Sequence, residues 1–267
     1  MNRITTAFES LRPKGEAALV GFVTAGDPSV SQSLQIIRAM AQAGLDILEL
    51  GIPFSDPTAD GPVIQRSSQR ALKGGVTVAT VLHMIKELRK DIEMPMVAFT
   101  YYNPILAYGV ERFARDLTAA GADGALVLDL PPEESEEVTS KWPSQSLAFI
   151  RLIAPTTPPE RLAQIARTGS GFLYLVSMTG VTGSPGFSLE EIAAIAGALR
   201  KVTSLPICVG FGISEPEQVA ALRSFADGVV VGSAFERLIE AHLHDDTCPA
   251  KVAAKVRALK QACLAHR

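Results

Sequence analysis

Residues 45–65 read LDILELGIPFSDPTADGPVIQ, and their reading decides the fold. DILELG is an apolar run of strand length with a carboxylate, Glu49, inside it. The loop that follows is crowded with Pro, Gly and Asp, and it carries a second carboxylate, Asp60. A charge on the wet face of a strand costs little, but a charge within a run of Ile and Leu is costly unless something uses it. Strand side chains alternate, so Ile47, Glu49 and Gly51 share one face while Leu48 and Leu50 share the other. If the leucines meet a layer of helices, Glu49 points to the opposite side of the sheet.

The same unit repeats outward in both directions. Short apolar runs occupy residues 18–24, 46–51, 96–101, 125–130, 147–153, 172–177, 207–211 and 228–232. Amphipathic stretches such as SQSLQIIRAMAQAG, VATVLHMIKELRK, VERFARDLTAAG and SLEEIAAIAGALRKV separate them. Strand and helix in alternation imply parallel strands joined by helical crossovers. Continuous rather than alternating apolar strands imply a sheet covered on both faces. Eight such units in 267 residues match a TIM (β/α)8 barrel, normally of about 250 residues. The competing fold, a doubly wound open sheet, usually carries a glycine-rich first crossover; here that segment is FVTAGDPSV, without GxGxxG. Residues 3–11 read as an extra N-terminal helix that plugs or flanks the barrel, and residues 250–265 as the last helix. Lead-ins such as AGLD, AGADG and FADG precede strands two, four and eight and are assigned to turns and packing at the bottom face. No linker or low-complexity tract divides the chain, so one domain over residues 1–267 is expected.

In a barrel of this kind the active site lies at the C-terminal mouth of the strands. Glu49 then faces inward near that mouth, where low dielectric raises a carboxyl pKa toward the range of a proton shuttle. The structural alternative is a carboxylate paired to an Arg or capped by amides. Asp60 and Asp56 alone are ordinary turn residues, but their loop leaves the strand that carries Glu49 and overhangs the same mouth. Late in the chain, VSMTGVTGSPG, GFGIS and VVGSAFERL follow strands six, seven and eight. Loops of this composition, with Gly183, Gly212 and Gly232, admit an anion to backbone amides and a helix N-terminus. Ser233 and Glu236 have the spacing of a capping box, as do Ser214 and Glu217. The loop 177–187 has the composition of a closing lid. Tyr174 should point inward, as a core aromatic or a site residue.

Composition excludes several classes. The net charge of −3 gives no basic footprint for nucleic acid or an anionic membrane surface. No apolar run reaches the roughly 18 residues of a membrane helix, and the N-terminus lacks a signal-peptide layout. Cys208, Cys248 and Cys263 are odd in number and without CxxC spacing, which fits reduced thiols in the cytoplasm. The sequence has no HExxH and no clustered His, so no metal is expected. No Lys ends a strand, which speaks against Schiff-base chemistry.

The run LELGIPFSDPTADGPVIQ closely resembles the signature of the tryptophan synthase alpha subunit family. TYYNPILAYG, LDLPPEES, IAPTTP, YLVSMTGVTG, GFGIS and GSAF fit that family in order and spacing, so the resemblance spans nearly the whole chain. It implies a TIM barrel that cleaves indole-3-glycerol phosphate to indole and glyceraldehyde 3-phosphate. By the same resemblance Glu49 and Asp60 are the catalytic pair and Tyr174 the active-site tyrosine. Phe22, Phe99, Tyr101, Leu128 and Leu152 would line the indole pocket. Gly183, Phe211, Gly212, Gly232 and Ser233 would surround the phosphate, and Thr182 would close over substrate toward Asp60. The family implies no cofactor in this chain and a partner, the pyridoxal-phosphate-dependent beta subunit, in an alpha2-beta2 complex. Asp56, Pro53, Pro57, Asn103, Pro104 and Pro132 would face it. The nearest alternative is a free-standing lyase of the same chemistry without a beta partner.

Overall fold

The structure, a computed structural model, describes residues 2–143, 146–177, 188–210, 212–243 and 245–264. Eight strands form its centre: β1 Ala18–Thr24, β2 Ile47–Gly51, β3 Met96–Thr100, β4 Gly124–Val127, β5 Ala148–Ile153, β6 Leu173–Val176, β7 Ile207–Gly210 and β8 Gly228–Val231. They pair in chain order, all parallel, and β8 returns to β1 to close the barrel. Closure excludes the open doubly wound sheet. Around it, among the described residues, lie α1 Arg3–Leu11, α2 Val30–Gln42, α3 Pro62–Lys73, α4 Val78–Leu88, α5 Tyr102–Tyr108 and α6 Val110–Ala120. The ring continues with α7 Glu136–Thr139, α8 Pro159–Thr168, α9 Leu189–Arg200, α10 Pro216–Leu222, α11 Ser233–Glu240 and α12 Cys248–Cys263.

Strand parity sorts the apolar residues into two cores. Leu19, Leu48, Leu50, Ala98, Phe149, Leu175, Val209 and Val229 pack outward against the helices. Val20, Ile47, Val97, Leu126, Ile150, Tyr174, Cys208 and Val230 fill the barrel. Ile4, Phe8 and Leu11 of α1 belong to this inner core. Phe8 meets Phe172, just before β6, at 5.9 Å between ring centroids. Asn2 donates to the carbonyls of Asp123 and Ser146, which precede β4 and β5. The extra helix therefore plugs the barrel at its bottom, N-terminal end.

Four pins hold that end. Leu19 N–H donates to the Asp46 carboxylate while Asp46 N–H donates to Leu19 O. The same reciprocal pair joins Met96 with Asp123 and Ile207 with Asp227. Phe149 and Ser170 make the fourth, through the serine hydroxyl. Each gives an acceptor to an amide at the start of an odd-numbered strand, where a buried orphan would be costly.

Candidate active site

β2 carries Glu49 to the top of the barrel interior, in register with Phe22 of β1 and Val97 of β3. Its side chain is buried, and among the described residues neither carboxylate oxygen has a hydrogen-bond partner. Among the described residues there is thus neither the Arg partner nor the amide cap of the structural alternative. Burial alone pushes its pKa up to about 8, so the group carries a proton at neutral pH and can release it. Tyr174 and Cys208, both facing the interior, feel its charge; burial first, then Glu49, raises both well above their ordinary values.

Asp60 ends the loop after β2, immediately before α3. Tyr101 donates its hydroxyl proton to Asp60 Oδ2 at 3.1 Å and accepts from Ala59 N–H at 3.0 Å. Gln65 Nε2 donates to the Asp60 carbonyl at 2.8 Å. Burial lifts the Asp60 carboxyl to about 6, and the Tyr101 hydrogen bond works against that rise. The two carboxyls are thus poised on either side of neutrality at one mouth.

Aromatic rings wall this mouth. Phe22 meets Phe99 edge-on at 4.9 Å, and Phe54 lies 5.3 Å from Tyr101. A small cavity lies between Phe22, Phe54, Asp60, Ile64, Phe99 and Tyr101. Phe54 and Ile64 were not singled out from sequence; their apolar character beside Pro and Gly was the available signal. Leu128 and Leu152 pack on the inner core, and Leu152 is in register with Tyr174. Gly210 is required where it stands: a Cβ there would lie 2.6 Å from Val230 Cβ and 2.7 Å from the Tyr174 hydroxyl.

At the end of β8, Gly232 occupies the N-cap of α11 without any side-chain cap, and Ser233 is the first helical residue. The capping box read at Ser233 and Glu236 does not form. Glu236 is instead buried, and its Oε1 accepts from Thr24 N–H at 2.6 Å. Gly232 has no side chain to cap the helix, and among the described residues the amides of Ser233 and Ala234 have no intrahelical acceptor, which leaves them suited to an anion. The second box is displaced by one residue, with Glu215 as N-cap and Gln218 as its partner, because Pro216 starts the helix. Gly212 has a left-handed φ of 74°, suited to glycine. Thr182, Gly183, Phe211 and most of the loop 177–187 lie outside the described residues.

Fold and site together define a TIM-barrel enzyme with its acids gathered at the C-terminal mouth. The family model of the tryptophan synthase alpha chain matches residues 8–264, and the chain belongs to that family. The tryptophan synthase alpha chain of Desulfosudis oleivorans is 58% identical over 262 residues, covering 98% of this chain and 99% of its own. The crystal structure of tryptophan synthase subunit alpha from Legionella pneumophila superposes with a TM-score of 0.90 at 38% identity, covering 98% of each chain. A tryptophan synthase chain from M. tuberculosis, in its aminoacrylate-bound form, gives 0.88 at 34% identity, over 98% of this chain and 100% of that one. The protein is accordingly a lyase with the alpha-subunit role in tryptophan biosynthesis.

Proposed function

We propose that this chain cleaves indole-3-glycerol phosphate to indole and glyceraldehyde 3-phosphate by acid–base retro-aldol chemistry. The observation that carries the reading is Glu49, a wholly buried carboxyl with both oxygens unpartnered among the described residues, sharing a mouth with Asp60. Breaking the bond from indole C3 to the glycerol carbon needs an electron sink. Glu49, in its acid form, protonates C3 and creates an indolenine-like cation that accepts the electrons. Asp60, as carboxylate, accepts a hydrogen bond from the indole N–H and stabilises the charge developing there. The ionised Glu49 then takes the proton of the C3′ hydroxyl as the carbonyl forms, which returns it to its starting state. Tyr174, beside both acids, shapes the field in which these transfers occur. Phe22, Phe99, Tyr101, Leu128 and Leu152 hold the indole. The amides at Gly212, Gly232 and Ser233 hold the phosphate, and the family resemblance assigns Gly183, Phe211 and Thr182 to the same substrate. The phosphate supplies binding energy remote from the reacting carbon, held in ground state and transition state alike.

The chemistry needs no cofactor in this chain. We assign pyridoxal phosphate to a beta subunit that receives the indole in an alpha2-beta2 complex. Exposed Asp56 and Asn103, together with Pro132, are assigned to that face. Three buried free thiols fit a reducing, cytoplasmic setting.

The test is release of indole from indole-3-glycerol phosphate by the purified chain, alone and with a beta subunit. Glu49→Gln should still bind indole-propanol phosphate and lose at least about 10²-fold in kcat. Unchanged turnover in that variant overturns the assignment. Equal rates with and without the beta subunit identify a free-standing lyase instead.

A further inference from the structure

A second set of buried polar groups lies beside the acids that perform the cleavage, at the exit of β1. Thr24 N–H donates to Glu236 Oε1 at 2.6 Å, and Thr24 Oγ1 lies 2.7 Å from Ser67 Oγ of α3. Gly26 N–H donates to Ser33 Oγ of α2 at 3.1 Å. Arg70 of α3 holds Asp27 with two hydrogen bonds of 2.8 Å and reaches Glu240 of α11 at 2.8 Å. One joint therefore ties the exit of β1 to α3, which starts just after Asp60, and to α11, which starts at the open phosphate amides.

Glu236 is the member of this joint with no evident use as a packing group. It is fully buried in the first turns of α11, and besides Thr24 it faces the Asp27 carboxylate. An apolar residue would fill the space more cheaply, but it would leave Thr24 N–H without an acceptor. We infer that Glu236 is a positioning residue that docks the first turn of α11 on the exit of β1 and so sets the Gly232–Ser233 turn for the substrate phosphate. The inference rests on the phosphate assignment in the proposed function. Burial, and after it the charge of Asp27, keeps Glu236 in its acid form near neutrality, so Gln is its closest substitute.

Kinetics of indole release by Glu236→Ala and Glu236→Gln, with inorganic phosphate as competing inhibitor, test this. The alanine variant should raise KM and the phosphate inhibition constant about tenfold each while kcat stays within about threefold, the pattern of lost ground-state binding. The glutamine variant should restore both constants, since its carbonyl can accept from Thr24. Should the alanine variant not fold, Glu236→Asp, one methylene short, should show the same rise in KM. A variant that melts earlier but keeps KM and the inhibition constant overturns the inference while leaving the cleavage reading intact. Failure of Gln to restore them also overturns it. Absence of indole release by the unaltered chain overturns both.

Discussion

Tyr101 lines the aromatic mouth of the barrel and also acts on an acid. Its hydroxyl bridges Asp60 and the Ala59 amide, so it fixes where Asp60 points and lowers the cost of its charge. On the proposed mechanism kcat/KM needs Asp60 ionised and Glu49 protonated. Activity should then fall below about pH 6, as Asp60 gains a proton, and above about pH 8, as Glu49 loses one. Tyr101→Phe removes a hydrogen bond to a charged group, for an expected loss of about tenfold in kcat/KM. It should also move the acid limb to higher pH, because the bond it removes favours the carboxylate. A pH profile of kcat/KM checks both, and an acid limb that stays in place would detach Tyr101 from Asp60. The direction of Glu49 was legible from strand parity alone. Asp60 read as a turn residue until the family resemblance was added, since its environment is made by Tyr101, which is distant in sequence.

The lead-ins before β2, β4 and β8 were legible as turn and packing residues, but their task was not. Asp46, Asp123 and Asp227 each close a reciprocal pair with the preceding odd strand, and Ser170 does so before β6. Ser170 carried no signal because a serine beside glycines is common in turns. Asp123 bears an added load: it pairs with Arg89, whose side chain is 12% exposed. Asp227 pairs with Arg200, which is 46% exposed. Asp123→Ala leaves the Met96 amide without its acceptor and strips Arg89 of its carboxylate, leaving it only the carbonyls of Gly121, Ile92 and Met94, and should cost about 3–5 kcal/mol. Asp227→Ala should cost about 1–2 kcal/mol, mainly for its amide. Denaturant unfolding of the two variants measures the difference, and equal losses would refute it. α3 was not legible as a helix, because serines rather than leucines fill its buried face. Ser67 bonds Thr24, and Ser68 both donates to and accepts from the Phe54 backbone.

Over the whole molecule, several carboxyls bind protons more tightly when folded than when unfolded. Burial raises Glu49 to about 8 and Asp60 to about 6, and it pushes Glu236 up as well, helped by the charge of Asp27. Between the ordinary carboxyl range and these values the folded chain keeps protons that the unfolded chain has lost. The stability these groups allow is full below the ordinary range and is lost as pH rises toward 6 and then 8. Glu240 acts in the opposite sense: hydrogen bonds from Arg66, and then from Arg70, hold it near 2, so its contribution is lost only in strong acid. Melting temperature should therefore fall from pH 5 to pH 8. Glu49→Gln, which needs no proton, should melt about 5–10 °C above the unaltered chain at pH 8 and within about 2 °C of it at pH 5. Parallel melting curves across that range would mean that Glu49 is solvated in the folded state.

Local pattern was enough to determine the eight strands, the face on which Glu49 stands and the glycines that follow β7 and β8, Gly212 and Gly232. These are consequences of alternation and turn chemistry, which act over a few residues. Closure of the sheet, the bottom plug made by α1 and the buried joint around Glu236 were decided by the tertiary structure. So was the failure of the Ser233 capping box, since Glu236 found its partner in Thr24, 212 positions away. Short-range spacing names the options for a polar side chain, but which acceptor or donor reaches it in a desolvated interior depends on which elements the barrel brings together.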